Sequence, residues 1–335
     1  MKKAMDKKCY IKSMALISCQ KPLCDDWFSE PITFDQAYVR AQEPDNKEFI
    51  LPSETRRMSK ILKRTICTAI SSLNQAGIHN PNAIITGTGM GCMENSEKFL
   101  FDMAKFGEKC LKPTLFMQST HNTIGSLIAI VLKCHGYNNT YSHKSISFES
   151  ALLDAFVQMK LGYIKNALVG SHDEITPFTS LVLKHTHPEY KFLSETSMSS
   201  VISTDSEKGV CEIESVEILH KSTPDEIATY LNETKDSILL LGVNGTAVND
   251  NPYKSMIEKL TFTPRLLQFK HIFGENFSCS AAGFYAAAKI LERQIIPNFL
   301  LWGTCSSKMN NDVPKITMVN SSVDSTWSII KLKRI

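Results

Sequence analysis

Ser145, a serine close to a histidine, could carry covalent chemistry. It follows His143 by two positions in the run Tyr141-Ser142-His143-Lys144-Ser145-Ile146-Ser147-Phe148-Glu149-Ser150-Ala151. In an extended segment residues i and i+2 face one side. His143 could then take the hydroxyl proton and leave Ser145 as an acyl acceptor, with Glu275 and His172 as alternative bases. The plainer reading is that Ser145 and Ser147 cap a helix opening near Phe148 and that His143 is a packed strand residue. A second candidate is the glycine turn Gly87-Thr88-Gly89-Met90-Gly91, because amides at a strand-to-helix turn can hold phosphate. It lacks the third-glycine spacing of the dinucleotide fingerprint and has no Gly-Lys-Ser/Thr ending, so a tight structural turn is expected. The ten cysteines sit singly, without a Cys-x-x-Cys pair or a Cys/His cluster at ligand spacing, and Cys19 and Cys24 read as buried thiols. No metal and no cofactor is expected.

The elements that must position these residues read as α/β. Short apolar runs over 83–86, 166–170 and 238–243 predict buried strands, and 210–218 alternates as a strand does. Helical spacing covers 55–75, 123–133, 149–161 and 281–293; in the third, Ala151, Leu152, Ala155, Phe156 and Met159 share a face. The polar stretch 186–205, rich in Ser and Thr and holding Pro188, predicts a surface connection. Strand-rich and helix-rich pieces on both sides of it suggest two similar units. At 335 residues and 43% hydrophobic content the chain can bury a large core. The net charge of +3 comes from 37 basic and 34 acidic residues, interspersed in sign, so nucleic acid is not an expected partner. No stretch reaches the ~18 apolar residues of a membrane span. The apolar stretch 14–18 is too short for an export signal, and single thiols fit a reducing compartment, so the expected location is the cytoplasm.

Several of these segments resemble the motifs of ketoacyl synthases. The run around Ser145 resembles the family's nucleophile turn. Asn244-Gly245-Thr246-Ala247-Val248-Asn249-Asp250 stands where such an enzyme reads His-Gly-Thr, and Lys270-His271-Ile272-Phe273-Gly274-Glu275 stands where it reads Lys followed by Gly-His. Counted back from Leu161-Gly162 and Val169-Gly170-Ser171-His172-Asp173-Glu174, the nucleophile position falls on Ser145. The likeness extends to Pro52 with Arg56-Arg57-Met58-Ser59, to 113–127, and to Ala281-Ala282-Gly283. Met318-Val319-Asn320-Ser321-Ser322-Val323-Asp324-Ser325-Thr326 stands where active members carry a mobile Gly-Phe-Gly-Gly loop.

The resemblance implies a thiolase-like fold, with two similar α/β halves in a layered αβαβα arrangement, here 1–180 and 181–335. It also implies a loss of chemistry. Decarboxylative condensation needs a thiolate to carry the acyl chain and neutral donors to stabilise the enolate and oxyanion. Here Ser145, Asn244 and Glu275 stand at those positions, with Lys270 beside them, and no catalytic residue is expected. Within the family the chain resembles chain-length factors, the inactive subunits found beside active synthases, and Met117 to Gly125 with Ser147-Phe148-Glu149 resembles the group attached to bacterial aryl-polyene and dialkylresorcinol pathways. That likeness implies a heterodimer with an active ketoacyl synthase, fed by acyl carrier protein. The strand before the nucleophile would pair across the two-fold axis through Asn138, Asn139, Thr140, Tyr141 and His143. Phe116, Met117 and Gln118 would line or block the acyl tunnel. The alternatives are an acyltransferase or hydrolase using Ser145, or a homodimeric acyl-binding scaffold.

Overall fold

The computed structural model describes residues 7–56, 58–303, 312–322 and 324–335. Arg57 and Val323, each within a family-like segment, lie outside the described residues. The strands are β1 Cys9–Ile17, β2 Ala83–Gly87, β3 Tyr137–Tyr141, β4 Asn166–Asp173, β5 Thr196–Ser203, β6 Cys211–Leu219, β7 Ile238–Leu241, β8 Arg265–Gln268, β9 Lys315–Ser321 and β10 Trp327–Lys333. The helices are α1 Pro52–Thr55, α2 Lys60–Ala76, α3 Met93–Phe106, α4 Pro113–Met117, α5 Thr123–Leu132, α6 Ser147–Leu161, α7 Pro177–Thr186, α8 Pro224–Thr234, α9 Ala247–Glu258, α10 Lys270–Phe273 and α11 Cys279–Arg293.

The strand order β3-β2-β4-β5-β1-β6-β10-β9-β7-β8 contains one pattern twice. From either outer edge inward, each set of five runs third, second, fourth, fifth, first in chain order. Parallel and antiparallel ladders match as well: β2 is parallel to β3 and β4 as β7 is to β8 and β9, and the fifth strand of each set is antiparallel to its neighbours. The sets meet at β1 and β6 through an antiparallel ladder of Cys9, Tyr10 and Ile11 against Ile213, Glu212 and Cys211. We propose that the two halves meet between Ser203 and Cys211. A boundary at residue 180 would part β5 from β4 and β1, between which it lies.

Five layers follow from which helix faces are apolar. Helices α2 and α5 bury Ile66, Ala69, Leu73 and Ile128 against Ile17, Ile84, Leu168 and Val201 on the outer side of the first sheet half. Helices α6 and α11 form the middle layer, where Phe148, Ala155 and Met159 share one cluster with Ala281, Phe284 and Ile290 and with strand residues of both halves. Helices α8 and α9 cover the far side with Ile227, Leu231, Tyr253 and Met256. This is the layered αβαβα arrangement. The middle layer is buried on both faces, which its sequence reports as Ala-rich α11 with Ala281, Ala282, Ala286, Ala287 and Ala288 all buried.

Two expectations are corrected. The stretch 186–205 is not a surface connection over its second part: β5, Thr-Ser-Met-Ser-Ser-Val-Ile-Ser, is buried along its whole length. Its hydroxyls are satisfied inside, Ser199 by Thr68 at 3.0 Å, Ser200 by the Ser13 carbonyl at 3.3 Å and Ser197 by His172 Nδ1 at 2.7 Å. Hydrogen-bonded hydroxyls enter a core at little cost, so polarity alone misled. The helix expected over 55–75 is split into α1 and α2, with Ser59 extended between them. Its periodic apolar face starts only at Ile61 and Leu62, and Gly77 closes it with φ +66°.

Candidate functional site

The turn carrying Ser145 is set by a close approach. A Cβ on Gly87 would lie 2.5 Å from the Ser147 carbonyl oxygen, so glycine lets the end of β2 touch the start of α6. Lys144 takes φ +51° ahead of Ser145, and Lys144–Ile146 form a single 3₁₀ turn. The segment is therefore not extended, and His143 does not share a face with Ser145. His143 Nδ1 instead pairs with Ser150 Oγ at 2.9 Å, while Ser147 Oγ accepts from the His143 amide and donates to the Lys144 carbonyl. His143 lies beyond the end of β3 and is no packed strand residue, and no serine side chain caps α6 at its N-cap, Ile146. His172 is buried with Nδ1 on Ser197, and burial drives its pKa down to about 3. Among the described residues no hydrogen bond joins Ser145 to His143, His172 or Glu275.

Asn244, Glu275 and Lys270 come together from separate elements. The Asn244 side-chain amide donates to both Glu275 oxygens at 3.0 Å and to the Glu189 carbonyl at 2.7 Å. Its Oδ1 accepts from the Thr246 amide and hydroxyl at 2.9 and 2.8 Å, which fixes the amide's orientation. The Lys191 amide donates to Glu275 at 3.0 Å, and Lys270 Nζ lies 3.4 Å from it. Both Lys270 and Glu275 are buried. Burial alone pulls the Lys270 ammonium down, but the Glu275 carboxylate lifts it further, and the net direction is up. The turn after β7 is held by Asp250, which accepts from the Asn244 and Gly245 amides at 2.9 and 3.0 Å.

Ser145, Lys270, Glu275, Asn276, Cys279, Asn320 and Trp327 are among the residues that line one cavity of about 210 Å³. A second cavity of about 270 Å³ lies against Phe34, Lys191 and Phe192, and Lys270 and Glu275 border both. The buried ion pair is thus a partition between two cavities. The first is below the ~300–1,000 Å³ usual for small-molecule sites. Its lining also includes Ser321, the last residue of β9, and Ser322 and Ser325 of the loop that follows. That loop is tied down: Ser322 N donates to the Thr326 carbonyl at 2.9 Å, Ser222 N to the Ser325 carbonyl at 3.0 Å, and Ser321 N to the Tyr253 hydroxyl at 2.7 Å.

The glycine turn is closed to phosphate. The Gly89 and Met90 amides and the Thr88 hydroxyl all donate to the buried carboxylate of Asp173, at 2.8 to 3.1 Å. A buried side-chain carboxyl occupies the place a phosphate would take.

The remaining expected residues lie at the surface. Phe116 and Met117, on α4, are 59% and 70% exposed, and Gln118 accepts from Asn95 at 3.3 Å; none of the three borders the cavity of Ser145. Asn138, Asn139, Thr140 and Tyr141 belong to β3, an outer strand of the sheet that among the described residues pairs with β2 alone. His143 stands just beyond it. Sequence reasoning did not single out Cys279, and it named Asp250 and Asn320 only as members of motifs; Asp250 lies six residues after Asn244, within the first turn of α9.

Among the described residues no group of three His, Cys, Asp or Glu could hold a metal, and no helix is long and apolar enough to cross a membrane. Residues 27–192 match the model of the beta-ketoacyl synthase N-terminal domain. No curated protein matches the sequence. Solved structures match the fold over nearly the whole chain. The ishigamide ketosynthase/chain length factor aligns at TM-score 0.80 and 14% identity, over 98% of this chain and 99% of that one. A type II polyketide acyl-carrier protein in complex with its ketosynthase bound to the hexaketide aligns at 0.78 and 12%, over 98% and 100%. A beta-ketoacyl synthase from Burkholderia phymatum STM815 gives the same values, 0.78 and 12%, over 98% and 100%. The family model over residues 27–192 and the thiolase-like layers agree: this chain is ketoacyl-synthase-like in sequence over that span and in fold over nearly its whole length.

Proposed function

We propose that the chain is a catalytically silent subunit, a chain-length factor, that pairs with an active ketoacyl synthase and shapes the tunnel for an acyl or polyene chain delivered on acyl carrier protein. The observation that carries this reading is the Asn244–Glu275–Lys270 cluster. A condensing centre stabilises a developing enolate with neutral donors. Here a carboxylate stands at that place, its oxygens taken up by Asn244, Lys270 and the Lys191 amide. Among the described residues Ser145 has no hydrogen-bonded base to make it a nucleophile.

Pairing is supported by β3, whose outer edge is available for strand addition. Tyr137, its first residue, and Ile130, which borders a groove with Asn138, Asn139 and Thr140, are 42% and 72% exposed. Phe116, Met117 and Gln118 sit on the same half, where a partner's tunnel would meet them. The names of two solved relatives, one a ketosynthase/chain length factor and one a ketosynthase with its carrier protein, fit this assembly. An aryl-polyene or dialkylresorcinol pathway in the cytoplasm is the setting we propose.

Co-expression with an intact Cys-His-His synthase and a carrier protein tests the reading. The expected result is a one-to-one complex, products formed only when both subunits are present, and no condensation by this chain alone. A self-dimer indifferent to any synthase overturns the pairing, and chain extension by the purified chain overturns the silence.

A further inference from the structure

Helix α3 buries one of its fourteen residues, Asn95, and leaves Leu100, Phe101, Met103 and Phe106 exposed. Glycines in the left-handed region flank it, Gly91 at φ +68° just ahead of the N-cap and Gly107 at φ +67° at the C-cap. The N-cap itself, Cys92, lies in a core cluster with Ile61, Leu62 and Ile124. Little apolar packing holds the rest of the helix, and an element of that kind opens at a lower free energy than the core.

Polar contacts to the segment after β4 fasten α3 instead. The Glu94 amide, in the first turn, donates to Glu174 Oε1 at 2.9 Å; one turn on, Thr179 Oγ1 donates to Glu97 at 2.6 Å, with the Thr176 hydroxyl on the same oxygen. Phe101 adds an edge contact to Phe178, ring centroids 5.8 Å apart. Glu174 is buried, and Arg64 of α2 is committed elsewhere, to Glu43 at 2.5 Å and Glu195 at 3.0 Å. The other charges around it are those two carboxylates and, on α3, Glu94, which pairs with Lys98 at 2.7 Å and is faced by Lys60 and Arg40. Asp173, its chain neighbour, is turned to the Thr88, Gly89 and Met90 donors. Burial pushes the Glu174 carboxyl up to about 7, with the charges of Glu195 and Glu94 adding to the shift and the Glu94 amide and Arg64 opposing it.

We propose that α3 is a pH-sensitive flap latched by Glu174. Neutral, the carboxyl stays under the first turn and still accepts from the Glu94 amide. Ionised, it is a buried charge without a cation of its own, and lifting α3 about Gly91 and Gly107 lets water reach it. The latched state then keeps a proton that the open state, with Glu174 at an ordinary 4.5, releases. The latch is whole below pH ~4.5, weakens as pH rises towards ~7 and changes no further above it. A partner that reads the exposed apolar side of α3 must order the helix as it binds once the latch is weak, so its hold falls over the same range.

Hydrogen exchange of the full chain, followed by mass spectrometry from about pH 5 to about pH 6.5 and corrected for intrinsic rates, tests the flap. The amides of α3 should be less protected than those of α6 at every pH, because the flap opens without the core. Their protection should fall about tenfold per pH unit across that range. Glu174→Gln, which stays neutral and keeps an acceptor for the Glu94 amide, should hold the protection of α3 constant over the same range. Protection of α3 equal to that of α6 throughout means release only by global unfolding and overturns the proposal. A flat profile for α3 in the native chain overturns it too, as does an undiminished slope in Glu174→Gln. The comparison of α3 with α6 in the unmodified sequence decides the matter even if the variant fails to fold. Failure here leaves the chain-length reading standing, because that reading is measured with a synthase and by product length.

Discussion

The side-chain amide of Asn244 donates to both carboxylate oxygens of Glu275, at 3.0 Å each, across 31 positions of sequence. With Oδ1 of Asn244 held by Thr246 and Lys270 Nζ 3.4 Å from the carboxylate, the three side chains form a closed structural cluster. Removing one member of a buried ion pair costs far more than the pair itself contributes. Glu275→Leu, which strands the Lys270 ammonium, should destabilise the fold by ~3–5 kcal/mol, and Glu275→Gln by less. Urea unfolding of both variants measures this. A loss under ~1 kcal/mol for Glu275→Leu would mean that water screens the pair.

Association with a synthase should depend on the β3 edge. Ile130 is 72% exposed and borders a shallow groove with Asn138, Asn139 and Thr140. Ile130→Glu places a charge where a partner strand would exclude water. It should weaken complex formation at least ~10-fold with the thermal midpoint unchanged. Sedimentation or pull-down against the synthase reads the effect, and full binding by the variant would move the interface elsewhere.

Chain length should respond to α4. Phe116 packs against Phe99 with ring centroids 5.4 Å apart, and Met117 is 70% exposed. Steric exclusion sets length by volume, so Met117→Ala or Phe116→Ala should lengthen the products of the reconstituted complex. Mass spectrometry of the products checks this; unchanged lengths in both variants would remove these residues from the tunnel.

Stability should also carry a pH signature from Glu174. Burial pushes its carboxyl up to about 7 from an ordinary 4.5, with Glu195 adding to the shift and Arg64 opposing it. A raised folded pKa means that the native state keeps a proton which the unfolded chain releases. This contribution is fully present below pH ~4.5 and is lost as pH rises through ~7, a span worth ~3 kcal/mol. Glu174→Gln keeps an acceptor for the Glu94 amide, 2.9 Å away in the native protein, and removes the titration. The stability difference between variant and native protein should therefore shift in the variant's favour between pH 5 and pH 8. A difference constant across that range would show that Glu174 ionises normally.

Much of the scaffold was legible because its elements bury one continuous face. The apolar runs behind β2, β4 and β7 and the helical spacing of α5, α6 and α11 mark elements whose side chains meet a core directly. Strand β5 was not legible, since its serines are acceptable inside only because Thr68, Ser13 and His172 meet their hydroxyls. The same limit applies to the site. Asn244, Lys270 and Glu275 could be found by their place in motifs, whereas Cys279 carries no local signal and Asn320 was marked only as part of the last motif.

The sequence by itself determined the α/β class, the motif order of a ketoacyl-synthase-like chain and the absence of a thiol or imidazole at positions 145, 244 and 275. These are properties of residue type and spacing, which need no neighbours to be read. Only the tertiary structure decided that His143 turns to Ser150 instead of Ser145, that Asp173 fills the glycine turn, and that Cys279 and Lys270 share a cavity. Each of those relationships joins groups by hydrogen bonding or burial in three dimensions, and a hydrogen bond depends on distance and direction, which spacing along a chain does not fix once the backbone turns.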